Sequence, residues 1–237
     1  VGSLKENIYF FEGKSYQLPR HGFARGKMFT VEKVNDSKAI FSLESNAETI
    51  KIYPFSFQLQ LIYELNDTSL ECTYAVHNPS KEILWFSVGG HPAFRVPLIT
   101  GERYDDYSLL FNQPERLDRW LLEDGLISKE NIVVPALAGK LPLTPTLFYE
   151  DALVFKNLKS TQITLADNQN QHGLHFRFEG FPYFGIWAAK DAPFICLEPW
   201  CGHADTLDHN QELTQKPGIE KLKAGGHWKR TWEVEVF

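Results

Sequence analysis

The strictest pattern in the sequence has a period of two: Phe55, Phe57, Leu59, Leu61, Tyr63 and Leu65 are apolar, with Ser56, Gln58, Gln60 and Glu64 between them. Successive side chains of a β-strand point to opposite faces, so this run predicts a strand with one buried and one wet face. After Asn66-Asp67-Thr68 the pattern resumes with Leu70, Cys72, Tyr74 and Val76 apolar and Glu71 and Thr73 polar, the return arm of a hairpin.

The same grammar recurs along the chain. Residues 8–18 fold back at Glu12-Gly13-Lys14, residues 28–43 turn at Asn35-Asp36-Ser37, and Trp232, Val234 and Val236 alternate with Glu233 and Glu235. Helical periodicity is weak: short helices are expected at 115–122 and near 211–222, and no βαβ alternation suggests a parallel sheet. The expected fold is all-β, a large antiparallel β-sandwich with few short helices. At 237 residues it is read as a single domain, 1–237, with a core large enough to fold alone. The longest irregular stretch, 97–147, is expected either to cover a site or to hold short strands such as 107–111.

Lys+Arg 24 against Asp+Glu 30 leaves a net charge of -6, which disfavours nucleic acid and anionic lipid as partners. The three cysteines, Cys72, Cys196 and Cys201, are an odd number without framework spacing, which points to free thiols and a cytoplasmic location. There is no leader-like or membrane-spanning apolar run. The numbering starts at Val1 rather than at a methionine and enters strand-like sequence almost at once, so N-terminal strands are expected to precede it.

Three segments interrupt the strand pattern by setting an ionisable group among Gly, Pro and aromatics. In Pro19-Arg20-His21-Gly22-Phe23-Ala24-Arg25, a histidine and two arginines follow a strand end; taken alone, this is also what a solvated turn looks like. In Gly89-Gly90-His91-Pro92-Ala93-Phe94, two glycines permit close backbone approach and Pro92 restricts where the imidazole points; a histidine capping a buried strand would read the same. In Cys196-Leu197-Glu198-Pro199-Trp200, a glutamate follows an apolar run. It lies either in water at a strand exit or buried, where desolvation would raise its pKa towards useful base strength. The dense aromatic group Phe181, Tyr183, Phe184, Trp187, Phe194 and Trp200 either fills the core or offers flat faces to a sugar ring. Cys201, His203, Asp205 and His209 cluster, as do His172 and His175. Their spacing fits no standard zinc pattern, so they are read as satisfied surface residues, and no metal is expected.

Taken together and in order, the three segments resemble the active-site signatures of the aldose 1-epimerase (galactose mutarotase) superfamily, and the resemblance extends over the whole chain. It implies a galactose mutarotase-like β-sandwich that interconverts the α and β anomers of an aldose with no cofactor and no metal. By resemblance, His91 matches the histidine that protonates the ring oxygen, Glu198 the catalytic base, and His21 a histidine that contacts the sugar and supports the transition state. Asp151, between His91 and Glu198, stands where the family has an aspartate that grips ring hydroxyls. A further family arginine would precede Val1. Gly90-His91-Pro92 departs from the best-known galactose mutarotases, whereas His21-Gly22-Phe23-Ala24-Arg25 is similar to the hexose-6-phosphate epimerase branch, in which Arg25 would help to hold an anionic substrate. The implied partner is a small sugar or sugar phosphate, bound by a monomer or homodimer.

The chemistry needs a base for the anomeric hydroxyl and an acid for the ring oxygen, so Glu198 is expected ionised and His91 protonated, with a bell-shaped pH profile. Two rival readings share the fold: a non-catalytic carbohydrate-binding protein, and a glycoside hydrolase or lyase, which would require a second carboxyl, such as Asp151, facing Glu198.

Overall fold

The computed structural model describes residues 1–169 and 171–237. The chain opens with a ribbon, β1 (Ile8–Phe11) and β2 (Lys14–Gln17), whose turn takes Glu12 and Gly13 to φ 50° and 73°. A second hairpin, β3 (Thr30–Val34) and β4 (Lys38–Glu44), precedes a short helix, α1 (Ala47–Ile52), which the sequence reading did not anticipate. Its six residues are too few to show a helical period. It is fixed instead at its N-terminus, where the Asn46 side chain accepts from the Glu48 and Thr49 backbone N–H groups and the Thr49 hydroxyl accepts from Asn46 N–H. The hairpin expected from the strict alternation follows as β5 (Gln58–Asn66) and β6 (Ser69–His77), turning at Asp67-Thr68.

Three short strands come next: β7 (Leu84–Phe86), β8 (Val88–Gly89) and β9 (Ala93–Arg95). The stretch 97–147 resolves into β10 (Tyr107–Phe111), β11 (Asp118–Glu123), β12 (Leu126–Val133) and β13 (Lys140–Pro142), so it holds strands rather than covering a site. The helix expected at 115–122 is therefore corrected to a strand. Asp124 and Gly125, at φ 50° and 77°, turn β11 straight into β12, and an Asp-Gly pair between strands is a hairpin turn.

The remaining strands are β14 (Leu153–Lys156), β15 (Gln162–Asp167), β16 (Gly173–Arg177), β17 (Tyr183–Trp187), β18 (Phe194–Cys201), β19 (Glu220–Leu222) and β20 (His227–Val236). The helix expected near 211–222 is reduced to a three-residue 3-10 turn, Leu213–Gln215, ahead of β19; Pro217 and Gly218 prevent continuation.

Every pairing between these strands is antiparallel. They form a nine-stranded sheet, β13-β10-β15-β16-β20-β6-β5-β4-β3, and a seven-stranded sheet, β12-β11-β14-β17-β18-β8, with β9 also on β18. Two-stranded ribbons, β1-β2 and β19-β7, complete the set. The main core lies between the large sheets, where Tyr107, Leu109, Ile163 and Phe176 meet Leu153, Phe155, Phe184, Ile186, Ile195 and Leu197. A second apolar cluster around Tyr9, Phe55, Phe57, Val76, Leu84 and Phe86 packs the ribbons against β5 and β6. Burying two such clusters is the main stabilising term, at roughly 25 cal/mol per Å² of apolar surface removed from water. Among the described residues no helix is long and apolar enough to cross a membrane.

Candidate active site

Alternation along β18 decides what faces where. Ile195 and Leu197 point into the main core and are fully buried, so Cys196, Glu198 and Trp200 share the opposite face. Gly185 on β17 stands across from Glu198, and the absence of a side chain there lets the Trp200 indole lie flat: a Cβ at 185 would meet a ring carbon of Trp200 at 2.4 Å.

On its other edge β18 is flanked by both β8 and β9. Gly89 pairs with Trp200 and Ala93 with Cys196, so the register runs continuously through Gly90, His91 and Pro92 and sets His91 across from Glu198. The ladder opens there because Pro92 and Pro199 have no N–H to give. Two bonds hold the opening: Gly90 N–H to the Pro199 carbonyl at 3.0 Å and Leu197 N–H to the Pro92 carbonyl at 3.2 Å. The Tyr74 hydroxyl lies 2.6 Å from where a Cβ at 90 would stand, so glycine is required for this close approach. The outcome is a cross-strand contact, His91 Nδ1 to Glu198 Oε1 at 3.4 Å.

The pair opens onto a cavity of about 490 Å³, within the range of roughly 300–1,000 Å³ found for small-molecule sites. Its wall brings together His21, Arg25, His91 and Glu198, four of the five site residues expected from the sequence, with Trp200 and Lys216. His21 and Gly22 adopt φ 66° and 68°, a tight turn that carries the His21 ring to 6.3 Å from the His91 ring. Trp187 meets His91 edge-to-face at 5.9 Å. Of the aromatic group, Phe181 and Phe184 fill the core, while Trp187 and Trp200 belong to the site.

The fifth residue, Asp151, stands apart from the other four. It is not part of the cavity wall among the described residues; it precedes β14 at φ 115°, where its carboxylate accepts the Ala152 N–H at 2.7 Å.

Electrostatics set the proton positions. Glu198 is 3% exposed, and burial pushes its pKa up to about 8 against the opposing pull of a Trp200 hydrogen bond and the Arg20 charge. Burial lowers His91 from its ordinary value, with Arg20 and Arg25 adding to the effect and a backbone hydrogen bond opposing it. An ionised Glu198 would raise His91, but a neutral acid at 3.4 Å exerts no such pull. In the free protein near neutral pH the proton therefore sits on Glu198 and His91 is neutral. The expected carboxylate and imidazolium form is the minor tautomer of the same singly protonated pair. Burial, then the Arg20 charge, takes His21 down to about 4, so it too is neutral; the Arg20 Nε–H points at its Nε2 from 3.2 Å.

Lys216, which no sequence pattern marked, reaches the wall from a buried network centred on Asp205. That carboxylate accepts from Lys5 N–H at 2.9 Å and from Lys216 Nζ, with His209 Nδ1 at 3.5 Å. Cys201, His203, Asp205 and His209 are buried rather than on the surface, and among the described residues His209 Nε2 has no hydrogen-bond partner. His203, whose Nδ1 lies 2.6 Å from the Ala204 carbonyl oxygen, is held down to about 4 by burial. Outside the cavity, His175 Nδ1 bonds the Thr164 hydroxyl at 2.8 Å.

Comparison with known proteins agrees with this fold. The family model for aldose 1-epimerase matches residues 3–220. The chain is 34% identical over 234 residues to the chromosomal protein LacX of Lactococcus lactis subsp. lactis, covering 96% of this chain and 77% of that protein. Among solved structures, a galactose mutarotase related enzyme from Lactobacillus acidophilus superposes with a TM-score of 0.94 at 32% identity, covering 100% of this chain and 80% of that one. A galactose mutarotase-like protein from Lactobacillus casei gives 0.91 at 31% identity, covering 100% and 82% respectively.

Proposed function

The chain belongs to the aldose 1-epimerase family, and from that premise we propose that it interconverts the α and β anomers of an aldose or aldose phosphate by acid–base ring opening and reclosure. The observation that carries this reading is the contact of Glu198 Oε1 with His91 Nδ1 at 3.4 Å on the wall of one sugar-sized cavity. Once the pair's single proton resides on His91, the Glu198 carboxylate takes the anomeric hydroxyl proton while His91 gives its own to the ring oxygen. The C1–O5 bond breaks to an open-chain aldehyde, and rotation about C1–C2 presents the other carbonyl face. Reversing both transfers closes the ring as the second anomer and restores the pair, so no net proton or electron is consumed.

Arg25 is suited to hold an anionic substituent, and His21 lines the cavity beside His91 with its Nδ1 accepting from Gly2 N–H at 3.2 Å and its Nε2 facing Arg20 Nε–H, so to contact the sugar it must exchange one of these donors. General acid–base assistance of this kind contributes about 10²–10⁴-fold. A hydrolase needs two carboxyls across the scissile bond, and Glu198 is the one carboxyl among the described residues of the wall. A protein that only binds sugar has no use for a carboxyl desolvated against an imidazole.

Polarimetry on freshly dissolved glucose, galactose and their 6-phosphates tests the proposal. Catalysed mutarotation is expected on at least one of them, and E198Q should slow it at least about 100-fold. A chain that accelerates none of the four, or an E198Q variant with undiminished turnover, would overturn it.

A further inference from the structure

Cys196 takes no part in the chemistry above, yet β18 sets it two residues before Glu198 on the same face. Its sulfur, a His91 ring nitrogen and a Glu198 carboxylate oxygen all lie within 4.8 Å of one another. We propose that His91, Cys196 and Glu198 form a binding site for a divalent cation of the zinc type, and that the cation, when bound, occupies the acid–base pair and blocks it.

The ligand set is one imidazole, one thiolate and one carboxylate, the combination that a borderline-soft, tetrahedral ion accepts and that hard ions such as Mg²⁺ do not. Spacing supports it. Two ligand atoms each about 2.1 Å from a tetrahedral centre are about 3.4 Å apart. His91 Nδ1 and Glu198 Oε1 already stand at 3.4 Å, and the sulfur needs to close in by about an ångström, within the reach of a χ1 adjustment. Three protein ligands leave a fourth position for water.

Charge balances as well. Binding expels the Cys196 thiol proton and the Glu198 carboxyl proton to solvent, and the resulting two negative charges neutralise the ion. Arg20, Arg25 and His21 of the first turn, and Tyr104 beside Cys196, are the other titratable groups bearing on the trio; the two arginines oppose the cation, and burial pushes the Cys196 thiol up to about 12, so the ion itself must displace that proton. Coordination engages the ring nitrogen of His91 and withdraws electron density from the Glu198 carboxylate, which weakens it as a base, so the ion disables the pair and competes with sugar instead of assisting it.

Binding of the ion does not depend on the sugar reading; inhibition rests on it. Equilibrium dialysis with zinc chloride is expected to show one saturable site per chain, weakened at least about tenfold by C196A and by C196S, with folding of each variant checked by thermal unfolding. Cobalt chloride added to the unaltered protein should give a thiolate-to-cobalt absorption band that both variants lose, which separates Cys196 from Cys72 and Cys201. Absence of saturable zinc binding, or binding and a cobalt band indifferent to Cys196, would overturn the site. In parallel, zinc should raise the apparent KM for mutarotation. A protein that binds zinc through Cys196 but catalyses no mutarotation leaves the site standing and removes the proposed function, whereas mutarotation with no zinc site does the reverse.

Discussion

Glu198 is a carboxyl kept where its charged form is expensive, and two measurable consequences follow from its pKa near 8. The active cavity holds one proton on the His91–Glu198 pair, so kcat/KM should rise with pH as the doubly protonated pair loses a proton through the lowered His91 value. It should then fall above about 8 as the last proton leaves Glu198. A flat profile between about pH 5 and 9 would reject the pair. The second consequence concerns stability. The folded pKa of Glu198 is raised above its ordinary 4.5, so its protonated form stabilises the fold fully below that value, and this contribution is lost as pH rises through about 8. Glutamine keeps the shape without the charge. The stability of E198Q relative to the unaltered protein should therefore grow from about pH 5 and level off above about pH 8, reaching the order of a few kcal/mol, since each unit is worth about 1.4 kcal/mol. Denaturant unfolding across that range reads the difference directly, and a pH-independent difference would place Glu198 in water.

At the scale of elements, the site is one interrupted strand laid beside β18. The hairpins were legible because their signals are local: Glu12-Gly13 and Asp67-Thr68 turn the chain within two residues of the apolar runs they join. The strand β11 was misread although Asp124-Gly125 offers a local hairpin signal; its other partner, Val154 opposite Trp120, is distant in sequence. His91 and Glu198 each stood out by their Gly and Pro neighbours, but their pairing depends on a register between strands far apart along the chain. Nothing in either segment encodes Cys196 as a third member. Asp151 shows the complementary limit: its position in sequence is suitable, but a backbone at φ 115° and a local bond from Ala152 N–H are not legible there. Gly185 tests the element directly. A methyl group there would lie 2.4 Å from the Trp200 ring, and moving the indole disturbs the hydrogen bond and the cover it gives Glu198. G185A should be destabilised by about 1–3 kcal/mol. Its alkaline pH limb should also shift, a change that a loss of packing elsewhere in β17 would not produce. Thermal unfolding and the pH profile of the same sample distinguish the two.

Over the whole molecule the charge is -6, so an anionic sugar approaches against the mean field and must be favoured locally. Two cationic side chains, Arg25 and Lys216, stand on the described cavity wall, but Lys216 is already bonded to the buried Asp205 carboxylate. Arg25 is exposed, and its guanidinium donates to the Arg20 carbonyl at 3.2 Å, which holds it at the turn that also carries His21. A charge-assisted hydrogen bond to phosphate contributes about 1.5–3 kcal/mol when sheltered, and exposure and salt reduce that towards the lower limit. R25A should therefore raise KM for a hexose 6-phosphate about tenfold more than it raises KM for the matching neutral hexose. Because R25A also removes the bond to Arg20, some loss on both sugars is expected through His21; the ratio between them isolates the charge. Raising ionic strength should narrow the preference in the unaltered protein and leave it unchanged in R25A. Equal effects of R25A on both sugars, at low salt, would mean that Arg25 serves the turn alone and that the substrate carries no phosphate.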